Sequence, residues 1–177
     1  MRYVRIGNVS VSGLCIGGNP FSGFSHQTQE RSNEMIEYYT PERIKETLRI
    51  AEANGINTLF ARTDEHIFGI IDDYWNEGGK IQWFAQVCVE GDDPNSWRKW
   101  LKSAAKLGAC GTYIHGGVVD NWYFNKQFDN FKESLSMMRE LNVTAGFAGH
   151  KPDAHEWIRD NLDPDFQMCS YYNPTDR

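Results

Sequence analysis

Histidines are the residues of this chain best suited to chemistry, and four of the five follow strand-like apolar stretches. His115 ends the run Ala109-Cys110-Gly111-Thr112-Tyr113-Ile114 and opens onto Gly116-Gly117. His26, His66 and His150 occupy comparable places, while His155 falls inside a helical pattern and reads as solvated. Imidazole moves protons near neutral pH and ligates zinc, manganese or iron. Asp64 adds a carboxylate beside His66. The candidate catalytic residues are therefore His115, His66, Asp64 and His150. His66, His115 and His150 could also hold a divalent metal with an open position, at about 2.0–2.1 Å for zinc. No local His-Glu-x-x-His pattern supports that metal. The plainer alternatives are a strand-end histidine that bonds a neighbour, and polar loops that coincide.

Candidate substrate contacts come from the same rim. Asn19 and His26 lie in the loop after the first strand, Arg62 could take an anionic group or an ion pair, and Gln86 sits near Cys88. Tyr172 and Asn173 end the sixth strand. If the histidines converge, their ring nitrogens should lie within roughly 4–8 Å of one another at the carboxyl ends of the strands.

The elements that must position these residues alternate. A hairpin over residues 4–11, turning at Gly7-Asn8, leads into a first strand at 14–18. Residues 19–39 read as a long polar loop, a length usual for lids or binding loops. Thr40-Pro41 caps a helix that closes at Asn54-Gly55. Strands follow at 56–61, 81–89, 109–115, 143–148 and 166–170. Helices are predicted at 67–76, from Asp93-Pro94 to Gly108, as one long element along Phe124, Phe128, Phe131, Leu135 and Met138, and from Pro152 to Ile158. Strand–helix units of roughly 25–35 residues imply parallel strands with right-handed crossovers. That is α/β architecture, and the preceding hairpin favours a (β/α)8 TIM barrel plugged at its floor over an open doubly wound sheet. Residues 1–177 read as a single TIM-barrel domain holding about six of its eight strands.

The totals narrow the function classes. A net charge of −6 and a pI near 5.3 offer no basic face for nucleic acid. The chain has no signal-like start and no apolar run of membrane-spanning length, so a cytoplasmic location and no membrane partner are expected. Four scattered cysteines without a C-x-x-C pair read as reduced thiols. Aromatic residues make up 14%, six of them Trp, which suits a dense core or a pocket for flat ligands.

Several of these stretches resemble aldo-keto reductases. Arg5-Ile6-Gly7-Asn8-Val9-Ser10-Val11-Ser12-Gly13-Leu14-Cys15-Ile16-Gly17-Gly18 is similar to that family's hairpin and glycine-rich first strand. Ala53-Asn54-Gly55-Ile56-Asn57-Thr58 resembles its approach to strand two, Tyr113-Ile114-His115 its fourth strand end, and Tyr172-Asn173-Pro174 its sixth. The resemblance implies an aldo-keto-reductase-type barrel, carbonyl reduction with NADP(H), and a catalytic histidine at His115. Gln167 resembles a cofactor-binding glutamine. Other positions depart from the pattern: Leu59-Phe60-Ala61-Arg62 replaces the Asp-bearing segment, Gln86 stands for the lysine, and Ala148-Gly149 for a Ser-Asn pair.

The expectation is an enzyme of that superfamily acting on a small sugar, polyol or other carbonyl compound through a histidine-rich acid–base site, with or without a metal. An NAD(P)H-dependent reductase and a non-catalytic barrel fragment or assembly subunit are the alternatives. Six strands would leave two edges with unpaired backbone groups. A C-terminal remainder of the barrel, or a second chain, is therefore expected as partner, beside a small-molecule substrate.

Overall fold

The computed structural model describes residues 1–170. The chain opens on a hairpin, β1 (Tyr3–Ile6) antiparallel to β2 (Val9–Ser12), with Gly7 at φ 55° in the turn. Six strands then pair in parallel, in sequence order: β3 (Ile16–Gly17), β4 (Thr58–Arg62), β5 (Gln82–Val87), β6 (Gly111–Ile114), β7 (Thr144–Gly149) and β8 (Phe166–Cys169). The sheet curls into half of a TIM-like barrel. Between its strands run α1 (Gln29–Tyr38), α2 (Pro41–Ala53), α3 (Glu65–Asn76), α4 (Trp97–Leu107), α5 (Gly116–Phe124), α6 (Phe128–Glu140) and α7 (Pro152–Asn161). No helix among the described residues is long and apolar enough to cross a membrane.

Strand alternation explains the two faces. Leu59, Ala61, Trp83 and Ala85 point outward and pack under α2 and α3 with Leu48, Ile67 and Ile71. Val87, Ile114, Ala145 and Phe147 meet the α4–α7 layer through Trp97, Leu101, Val119, Phe131 and Ile158. The concave face carries Phe60, Phe84, Tyr113 and Phe166, whose rings lie with centroids 4.9–6.0 Å apart. Gly111 and Gly146 make that layer possible. A Cβ on either would come within 2.4 Å of the Phe84 ring or 2.3 Å of the Phe166 ring.

The hairpin covers the floor of this layer, as the sequence suggests. Val11 is buried against Phe84 and Tyr113, with Ile6 and Val9 beside it. Asn57 fastens it: its Oδ1 accepts the Ser12 N–H at 2.8 Å, and its Nδ2 donates to the Ser10 carbonyl at 2.9 Å. Gln82 Nε2 donates to that carbonyl as well.

Two elements differ from the sequence reading. The stretch 19–39 is not an unstructured loop. A 3-10 turn at Asn19–Ser22 precedes α1, whose N-cap Thr28 accepts the Arg31 N–H. α1 buries none of its side chains, so it lacks the apolar stripe that marks a helix in sequence. The long helix expected along Phe124–Met138 is two, α5 and α6. Lys126, at φ 55°, breaks them apart, and α5 begins directly at the Gly116-Gly117 pair that reads as a turn.

Candidate active site

The carboxyl ends of β3–β8 and the loops that follow line a cavity of about 1260 Å³. Arg62, Gln86, Cys88, His115 and His150 project into it from successive strand ends, joined by Asn19, Phe24 and His26 from the β3–α1 segment. This is the face where barrel folds gather reactive groups, because strand ends hold side chains rigidly while the loops vary.

His115 is the N-cap of α5. Its Nδ1 accepts the Gly117 N–H at 3.2 Å, which puts the proton of the neutral ring on Nε2. Burial, with the Arg62 charge second, holds its pKa below the usual histidine value. His115 is thus a neutral imidazole with a free Nε2–H donor. His150 is built differently. Its Nδ1 lies 2.7 Å from Asp120 Oδ2, and Asp120 also accepts the backbone N–H of His150 and Lys151. A carboxylate that fixes Nδ1–H leaves Nε2 as a lone-pair base. The ring packs over Gly116, where a Cβ would approach Cε1 to 2.7 Å.

Arg62 supplies the positive charge. Its guanidinium stacks on Phe24 at 4.4 Å from the ring centroid. Its Nε lies 3.3 Å from Asp64 Oδ2, yet is buried with no hydrogen bond, because the approach is misaligned. Cys88 has its thiol pushed up to about 11 by burial, partly offset by Arg62, so it is no thiolate at neutral pH. Burial likewise lifts the Tyr113 phenol well above its usual range.

Several sequence expectations need correction. His66 lies outside this cavity, exposed at the start of α3 in a separate hollow with Phe21, Ile36 and Tyr39. The His66–His115–His150 convergence therefore does not form. Among the described residues no three His, Cys, Asp or Glu side chains group to hold a metal. Asp64 is not poised for catalysis either: it caps α3 by accepting the Ile67 N–H and accepts the Ser22 hydroxyl. Gln167 faces α7, its Oε1 2.6 Å from His155 Nδ1, and does not line the cavity. His155 is half-buried rather than solvated, its Nε2 3.1 Å from the Gly149 carbonyl. Tyr172 and Asn173 lie outside the described residues. His26 does reach the cavity, its Nε2 3.0 Å from Asn19 Nδ2. Asp120, thirty residues before His150, carries no signal in the sequence, because no spacing links an α5 carboxylate to the histidine that follows β7.

An α/β half-barrel with a polar cavity at its strand ends, holding Arg62 beside two histidines, is the class that fold and geometry define. The solved structures similar to it include two of one enzyme domain. One is the carboxyl transferase domain from Rhizobium etli pyruvate carboxylase with 3-hydroxypyruvate, with a TM-score of 0.52 and 15% identity over 75% of this chain and 24% of that one. The other is a variant of the same domain with pyruvate, with a TM-score of 0.53 and 13% identity over 88% of this chain and 32% of that one. The chain therefore spans about a quarter to a third of the length of these neighbours. No family model and no curated protein matches it.

These neighbours belong to a different barrel family, which overturns the aldo-keto reductase resemblance and the reductase or sugar-directed function drawn from it. The shared motifs do general barrel work. Gly55, at φ 82°, ends α2, and Asn57 ties the hairpin to the floor, tasks that any plugged barrel sets.

Proposed function

We propose that this chain is a barrel enzyme domain, a single part-barrel unit, that binds a small 2-oxo carboxylate and moves a proton on it. The observation that carries the reading is Arg62, a half-buried guanidinium in a cavity that also holds a neutral histidine donor and a carboxylate-held histidine base. A guanidinium matches a carboxylate in shape and charge. The similar domains were solved with pyruvate and 3-hydroxypyruvate, which are acids of that class.

In this scheme Arg62 pairs with the substrate carboxylate. His150 Nε2 takes a proton from the carbon next to the oxo group. The C–H electron pair becomes the enolate double bond, and charge gathers on the oxo oxygen. His115 Nε2–H donates to that oxygen, which a ring kept neutral does without carrying charge of its own. Asp120 holds His150 in the tautomer that can accept.

The test is pyruvate in D2O, followed by proton NMR. The protein should exchange the methyl protons for deuterium, and Asp120→Asn should slow exchange by about 10²-fold. Arg62→Gln should weaken pyruvate binding by roughly 10–100-fold, the worth of a charged hydrogen bond. Failure to bind pyruvate in an Arg62-dependent way, together with no exchange, overturns the reading.

A further inference from the structure

The cavity is far larger than a three-carbon acid needs. Pyruvate has six heavy atoms and occupies on the order of 100 Å³, against about 1260 Å³ here. The extra space runs outward along α5. At 1.5 Å rise per residue, Asn121 stands about 8 Å beyond Gly116, and the end of the helix at Phe124 about 12 Å. Asn121, Gln127 and Asn130 line this outer part. The backbone bonds from Lys126 N–H to the Tyr123 carbonyl (3.1 Å) and from Gln127 N–H to the Trp122 carbonyl (2.8 Å) fix the turn that presents Gln127 and Asn130. Asn121 and Gln127 are exposed and Asn130 is half-buried, and none of the three carboxamides makes a hydrogen bond to another described residue, so all three are open to a ligand from the cavity.

The β5–α4 turn also lines the cavity, with Asn95 held by its bond from Arg98 and Ser96 Oγ accepting the Glu90 N–H at 2.7 Å. The charged residues of this part, Lys126 against Asp92 and Asp129, leave one net negative charge, which disfavours a second anionic group there. Carboxamides donate and accept at once, so they suit a neutral polar group and offer little to a phosphate or a second carboxylate.

We infer that the site takes an extended ligand, with a carboxylate head at Arg62 and an uncharged amide- or hydroxyl-bearing tail along α5, held by Asn121 and Asn130. This rests on the carboxylate reading of Arg62 given above. It makes the outer lobe a specificity subsite, distinct from the groups that move the proton.

Calorimetric titration with adipamate, adipate, hexanoate and pyruvate tests it. Adipamate and adipate are equal in length and differ only in whether the tail is neutral or charged, and hexanoate lacks the polar tail. Adipamate should bind about tenfold tighter than both adipate and hexanoate, in competition with pyruvate. In Asn121→Leu and Asn130→Leu the ratio of adipamate to hexanoate affinity should fall toward one, with helical circular dichroism confirming the fold. If pyruvate binding depends on Arg62 but adipamate shows no advantage, or adipate binds tighter, the inference fails and the carboxylate reading stands. If no carboxylate binds through Arg62, both fail.

Discussion

At the scale of single residues, the site turns on how neighbours set the state of two histidines. Burial, then Arg62, His150 and His26, disfavour charge on His115, and only Asp120 opposes them. Arg62→Gln removes the second of these causes, so the His115 pKa should rise toward the ordinary value of about 6.5. An NMR titration of the ring Cε1–H reads that shift, and an unmoved or lowered value contradicts the assignment. Linkage fixes the sign for stability. The folded ring binds its proton later than the unfolded one, so its contribution is complete above about pH 6.5 and is lost as pH falls toward the lowered folded value. Asp64 separates two roles by substitution. Asp64→Asn keeps a side chain that can cap α3, whereas Asp64→Ala loses the cap and should cost about 1 kcal/mol in urea unfolding. Both should loosen Arg62, which leaves the carboxylate affinity changed in each and stability changed mainly in the second.

At the scale of elements, close approach between strands decides what each position tolerates. The Phe166 ring of β8 occupies the space where a Gly146 side chain on β7 would stand, 2.3 Å from a Cβ. Neither strand can yield without disturbing the stack of Phe84 and Tyr113 behind it. Gly146→Ala should therefore overpack this layer and destabilise the fold by about 1–3 kcal/mol. An unchanged denaturation midpoint would show that β8 is free to shift. Helices of the outer layer are legible for a related reason. The stripe Ile44, Leu48 and Ala51 on α2 repeats at helical spacing because one face meets the sheet, while α1 shows no such stripe because it buries nothing.

At the scale of the whole molecule, the hairpin and the sheet form one interior. Asn57 joins them through bonds to Ser12 N–H and the Ser10 carbonyl, with Thr58 Oγ1 donating to its Oδ1 at 2.7 Å. Asn57→Ala leaves the buried Ser12 N–H without its partner, while Gln82 still donates to the Ser10 carbonyl, and an unpaired buried group costs about 1–3 kcal/mol. The expected result is a lower melting temperature and stronger binding of a hydrophobic dye as Phe84 and Val11 become accessible. Normal melting with no dye signal would mean that apolar contact alone holds the plug.

The sequence by itself determined the order of the strands, the parallel sheet, the hairpin under the floor and the strand-end positions of His115, His150 and Arg62, but neither α1 nor the break between α5 and α6. Those follow from period-two and period-3.6 patterns, caps and turn glycines, which act within a few residues. It could not show that His66 turns away while Asp120 reaches His150. Both depend on how α3 and α5 leave their strands. The family likeness failed for the same kind of reason: its motifs fix local turns, while kinship in fold lies in how the strands curl together. Only the packed barrel decides which side chains share a cavity, because residues thirty or more positions apart meet there by the geometry of the sheet rather than by spacing along the chain.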